Sequence, residues 1–114
     1  MKIVSKQHAL SSYQWGNNCM AWSFVEEPFL QVKLEVMPPG TSEELHFHNK
    51  ATQFFFILKG QASFDIEGNI ILINTGEGID IKPNQKHRVF NTSANELEFL
   101  ITSQPAVLND RFPG

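Results

Sequence analysis

The chain has 114 residues, a length that fits one domain (1–114) and leaves no room for a second independent core. Hydrophobic residues make up 41%, with 10 Phe among them, so the composition is that of a globular protein and not of a disordered one. A net charge of −3 with no run of Lys or Arg leaves no electrostatic footprint for nucleic acid or an anionic membrane.

The opening residues, MKIVSKQHAL, contain Ile3 and Val4 but no apolar run of signal-peptide length, and nothing later approaches a membrane span. Cys19 is the one cysteine and has no internal partner, which makes a reducing cytoplasm the expected location and an inert thiol the expected role. Punctuation by Pro28, Pro38, Pro39, Gly40, Gly60, Gly68, Gly76, Gly78 and Pro83 then cuts the chain into pieces of strand length. Strands are predicted over 20–26, 30–37, 52–59, 62–67, 70–74, 78–82, 87–91 and 97–102, all rich in Phe, Ile, Val and Leu. Short strands at even spacing point to an all-β antiparallel sandwich or barrel.

Trp22 and Phe24 share one face of the first of these strands, a face that would line a pocket, although such alternation is more often plain core. In 53–58 both faces are apolar, since Phe54, Phe56 and Leu58 match Phe55 and Ile57. The outer face therefore needs cover, either from a second copy of the protein or from the N-terminal segment. In 62–67 the alternation is clean, and Gly68-Asn69 suits a tight hairpin into the next strand. Phe55, Ile57, Phe64, Ile66, Val89, Leu97, Phe99 and Ile101 form the expected core. The segment 103–114 has no periodicity and reads as an extended tail over the surface.

Histidines fall in two windows. His46 and His48 are two apart on a predicted strand, so both leave the same face, and Glu44 continues that face. Gln53 follows a turn-like Asn49-Lys50-Ala51 and returns beside them on an adjacent strand, while His87 shares its face with Val89 and Asn91. Imidazoles projecting inward from different strands of a small barrel build a three-nitrogen metal site with open positions. Three imidazoles and an amide suit Fe, Mn, Ni, Co or Zn alike. Phe55, Val89, Trp22 and Phe99 are the expected pocket lining. Glu43 and Glu44 read as a charged strand end in preference to a general base, His8 as a surface or hydrogen-bonded core residue, and Arg88 and Phe90 as exterior or dimer contacts.

At these residues the sequence resembles the cupins. Gly40, His46, His48, Gln53 and Gly60 meet every interval of the first cupin motif, G-x5-H-x-H-x4-E-x6-G, with Gln in the Glu position. Gly76, His87 and Asn91 meet the second, G-x5-P-x-G-x2-H-x3-N, with Lys82 for its proline and Asn84 for its second glycine. The motifs occupy 40–60 and 76–91. The chain is also similar to short bacterial single-domain cupins that share its PPGT, QFF and SQP segments and a closing Asp-Arg pair, a group with no firmly assigned reaction. The resemblance implies a double-stranded β-helix, or jelly roll, often dimeric, with a divalent metal in the barrel mouth. Where three His and a Glu leave a divalent ion at +1, neutral Gln53 leaves it at +2, which would favour an anionic ligand such as a carboxylate or enolate.

Two functions remain open on the sequence. One is a metal-dependent enzyme of oxygenase or isomerase type acting on a small molecule; the other is a non-enzymatic module that binds a small ligand or a metal. A metal-free sugar isomerase with a histidine base and a tyrosine acid meets an obstacle, because Tyr13 stands outside both motifs.

Overall fold

Period-two alternation becomes two sheet faces on a pleated backbone. In residues 2–114, which the computed structural model describes, it produces eleven strands and no helix. The larger sheet orders β1 (Ser11–Trp15), β2 (Cys19–Glu27), β3 (Leu30–Met37), β10 (Leu97–Gln104), β5 (Thr52–Lys59) and β8 (Gly78–Ile81). The smaller orders β11 (Phe112–Pro113), β4 (His46–Phe47), β9 (His87–Phe90), β6 (Gln61–Ile66) and β7 (Asn69–Asn74). All these pairings are antiparallel, and the two sheets form an all-β jelly roll.

Aromatic rings join the layers. Phe55 of β5 meets Phe64 of β6 edge to face at 4.9 Å, and Phe99 of β10 stands 5.4 Å from Phe55. All three are buried, with Met37, Ile57, Ile81, Val89 and Leu97 around them, and each such side chain contributes about 1.5–3 kcal/mol of burial. Ile66, expected inside, is only partly buried, because β6 reaches the rim of the barrel there and the residue packs against the core from its edge.

The inward face changes character along each strand. On β10 it runs Leu97, Phe99, Ile101, Ser103, and on β5 it runs from Ile57 and Phe55 to Gln53, which the register sets opposite Ser103. One end of the barrel is therefore oily and the other polar. The histidines of β4 and β9 arrive at the polar end.

Two strands escaped the sequence reading, and both matter for the site. β1 is an exposed Ser-rich edge without apolar alternation, held to β2 in register from Ser11↔Ser23 to Trp15↔Cys19. β11 lies in the expected surface tail but pairs with β4 through Phe112↔Phe47 and Pro113↔His46. The N-terminal segment lies over β2 and β10, where Lys6 pairs with Glu98 at 2.9 Å and caps the Trp22 ring. It leaves Phe54 and Leu58 of β5 43% and 40% exposed.

Gly60 carries the chain from β5 in one sheet to β6 in the other at φ 84, and a Cβ there would sit 2.5 Å from the Glu96 carbonyl oxygen. Gly68 has φ 85 with open space around it. Gly68→Ala should cost the left-handed strain alone, about 1–2 kcal/mol, and Gly60→Ala clearly more because backbone must also move. Thermal unfolding of the two variants checks this, and equal losses in Tm would show that the 94–96 turn yields freely.

Candidate metal centre

The antiparallel register sets His46 directly opposite His87, and His48 follows two residues along the chain. Their ring centroids lie 4.4 Å (His46–His87), 5.0 Å (His46–His48) and 5.5 Å (His48–His87) apart, and all three residues are buried. One ligand atom from each falls within 4.8 Å of the others.

Each ring is oriented by the backbone. His46 Nδ1–H donates to the Glu44 carbonyl at 2.7 Å, His87 Nδ1–H to the Gln85 carbonyl at 2.8 Å, and His48 Nδ1–H to the Asp110 carbonyl. A carbonyl can only accept, so each Nδ1 keeps its proton and each Nε2 presents a lone pair. Nε2 of His48 and of His87 is buried with no hydrogen-bond partner among the described residues. Gln53 Nε2 donates to Ser103 Oγ at 3.0 Å, which leaves its buried Oε1 likewise unpartnered. Leaving such atoms bare costs about 1–3 kcal/mol each. Borderline imidazole nitrogens with a harder amide oxygen beside them fit a divalent transition ion.

Burial drives His46 down to about 3 and His87 to about 4, against the backbone bonds that favour their protonation, and it lowers His48 as well. The nearby Arg111 guanidinium lowers all three further. The imidazoles are thus neutral at physiological pH, and no proton competes for their lone pairs.

Asp110 is the residue that the sequence reading missed. Its carboxylate accepts the backbone N–H groups of Asn49 (2.7 Å), Lys50 (3.1 Å) and Ala51 (3.0 Å), while its carbonyl holds His48. The Asp-Arg pair near the end of the chain was its one visible signal, with nothing in the sequence to say that the turn after His48 was its partner.

His46, His48 and Gln53, but not the fully buried His87, line a cavity of about 470 Å³. Its apolar wall is Phe55, Val89, Phe99 and Ile101, and its polar rim is Tyr13 and Trp15 of β1, Lys33 and Glu35 of β3, Glu43, Glu44 and Arg111. Trp22 is not part of it. The inward phase of β2 is carried by Cys19, Ala21 and Ser23, so Trp22 and Phe24 stand on the outer face. Glu43 is no solvated strand end: its side chain is 13% exposed, Oε2 accepts the Val89 N–H at 2.9 Å, and Oε1 lies 3.9 Å from His46 Nδ1. Burial pushes Glu43 up to about 8 and Glu35 up to about 7, with the charge of Glu35 adding to the rise at Glu43. Tyr13, though outside both motifs, reaches the rim, where its hydroxyl accepts from Lys33 Nζ at 2.9 Å.

Burial alone would raise the pKa of Asp110, but the three backbone N–H groups outweigh it and hold the carboxyl below its usual range. A depressed carboxylate contributes stability above its unfolded pKa, near 3.9, and loses it as pH falls through the lower folded value. Asp110→Asn should cost about 1.5–3 kcal/mol at pH 7 and flatten the loss of stability below pH 4. Denaturant titrations at pH 3 and pH 7 check both effects; an unchanged acid limb would remove the carboxylate from this role.

A family model for the cupin domain matches residues 33–103. An oxalate-binding protein of Thermotoga maritima is 33% identical over 72 residues, which cover 63% of this chain and 57% of that protein. The polyketide synthase CurC of Streptomyces cyaneus is 24% identical over 72 residues, 63% of this chain and 47% of its own length. The chain spans about half the length of these curated relatives. Among solved structures, an RmlC-like cupin from Shewanella frigidimarina superposes with a TM-score of 0.83 at 14% identity, covering 96% of this chain and 95% of that one. A predicted oxalate decarboxylase from Thermotoga maritima superposes at 0.81 and 21% identity, covering 93% and 100%. At such identities these two share the fold alone. Matched by the family model over more than half its length, and carrying the two histidine windows on paired strands of one sheet of a jelly roll, the chain belongs to the cupin family.

Proposed function

We propose that His46, His48 and His87, with Gln53 Oε1 beside them, hold one divalent transition ion (Fe, Mn, Ni, Co or Zn) and that the chain is a metal-dependent enzyme on a small anionic molecule. The observation that carries this reading is the set of unpartnered, buried Nε2 and Oε1 atoms brought together by backbone-fixed rings. When bound, such an ion supplies Lewis acidity toward a carbonyl or carboxylate oxygen. The protein's own residues do the rest. Phe55, Val89 and Phe99 keep the inner wall dry, which strengthens every polar contact made against it. Neutral Gln53 leaves the positive charge of the centre undiminished, where a glutamate would offset one unit. Glu43 holds a proton at neutral pH beside the cavity and is placed to exchange it with a bound molecule.

The Thermotoga maritima relative, named for binding oxalate, supports a small carboxylate as the ligand class. The same name favours a second reading, a module that binds such an anion without transforming it. We also propose a homodimer in which the exposed row of Phe54 and Leu58 on one copy meets the same row on the other, since two apolar faces need no charge complement. A sedimentation mass of one chain at micromolar concentration would remove the dimer. Among the described residues no helix is long and apolar enough to cross a membrane. The single buried cysteine supports a reducing compartment, and we propose the cytoplasm.

Protein purified without chelator should carry near-stoichiometric Fe, Mn, Ni or Co by elemental analysis, and the His46→Ala/His48→Ala double variant should carry none. Tightly held zinc would favour the binding module. No metal in either sample, with failed Co2+ reconstitution, would overturn the metal centre. Gln53→Glu should raise Co2+ affinity about tenfold or more and weaken small-anion binding, and unchanged values for both would detach Gln53 from the centre.

A further inference from the structure

We propose that Arg111 is the anchor for a ligand carboxylate, so that the chain beyond β10 contributes a residue to the binding site. This rests on reading the cavity as a small-anion site and names the residue that selects the anion.

Arg111 lines the cavity together with His46 and His48, and its side chain is half exposed. Its nearest acidic oxygen, Glu43 Oε1, is 3.8 Å from Nη1, whereas a charge-assisted N–H···O bond is about 2.7–2.9 Å. The guanidinium fork is therefore unspent. Glu43 cannot swing to claim it, since its other oxygen is held by the Val89 N–H. Lys33, the other cation on the lining, gives one of its N–H donors to the Tyr13 hydroxyl and lies over the Tyr13 ring, and as a point charge it offers no bidentate fork.

The backbone on both sides of Arg111 is pinned. Asp110 is held by three N–H groups and by His48, and Phe112 pairs with Phe47, their rings stacked at 5.5 Å. The side chain is thus a planar, bidentate donor on a fixed base, a geometry matched to carboxylate. Arg111 brings a planar fork to the lining, and His46 and His48 stand on the same lining, so a carboxylate ligand can engage Arg111 at one end and the histidine centre at the other. That fixes the orientation of a ligand that engages both.

The experiment is calorimetric titration of Co2+-loaded protein with oxalate and with its neutral isostere oxamide, for the wild type, Arg111→Gln and Arg111→Lys. Wild type should prefer oxalate. Arg111→Gln should weaken oxalate about tenfold or more, leave oxamide within about twofold, and keep Co2+ binding equal or slightly tighter, because a nearby positive charge is gone. Arg111→Lys, which keeps charge but not the fork, should recover part of the loss. Oxalate binding equal in wild type and Arg111→Gln overturns the anchor, as does Co2+-loaded wild type that binds no oxalate; in both cases the metal centre stands. If wild type binds no Co2+, the metal reading fails by itself, and oxalate titrated into the metal-free protein decides: binding lost in Arg111→Gln upholds the anchor, and no binding overturns it.

Discussion

Three hydrogen bonds from imidazole Nδ1–H to backbone carbonyls govern this molecule's chemistry. The acceptors belong to Glu44, Gln85 and Asp110, three stretches of chain far apart in sequence. Because each acceptor lies two residues before a paired strand, β4, β9 or β11, the rings are oriented by backbone that the sheet anchors and turn their bare nitrogens toward one another. Side-chain acceptors would have left each ring a rotamer's worth of freedom. The pocket is consequently pre-organised before any ligand arrives, and the cost of gathering three desolvated nitrogens is met by the folding of the barrel as a whole.

The barrel can bear that cost because its strands are graded. β5 and β10 spend their lower inward positions on Phe and Leu and their upper ones on Gln53 and Ser103, so hydrophobic packing and polar display occupy opposite ends of the same strands. Phe55 and Phe99 serve both ends, closing the core below and forming the dry wall of the cavity above. A neutral glutamine fits this grading. It needs a partner for each half of its amide, and Ser103 supplies one while the cavity faces the other.

Strand period and histidine spacing were legible because both obey local rules: alternation tells which side chains share a face, and the two motif windows tell which faces meet. What stayed hidden were features set by long-range contact. In β3 the apolar residues Val32, Leu34 and Val36 alternate with Lys33 and Glu35, a pattern that looks like a dry inside and a wet outside. In the fold the wet side is the cavity, since β3 pairs with β10 so that Lys33 and Glu35 neighbour Ile101 and Phe99. Trp22 failed for the opposite reason: the face it shares with Phe24 suggested a pocket wall, but the inward positions of β2 fall on Cys19 and Ala21 and leave Trp22 outside. β1 and Asp110 had no period to betray them, and their roles come from pairing with β2 and with the turn at 49–51.

The bond between His48 and Asp110 spans 62 positions of chain and ties the site to a segment outside the core. All strands that build the hydrophobic core lie before residue 105, so the barrel can stay closed around Phe55, Phe64 and Phe99 with the segment beyond them undocked. His48 has its orienting partner only when residue 110 is closed over the turn at 49–51. Local opening of that short segment would therefore free the third imidazole to rotate while the core remains shut.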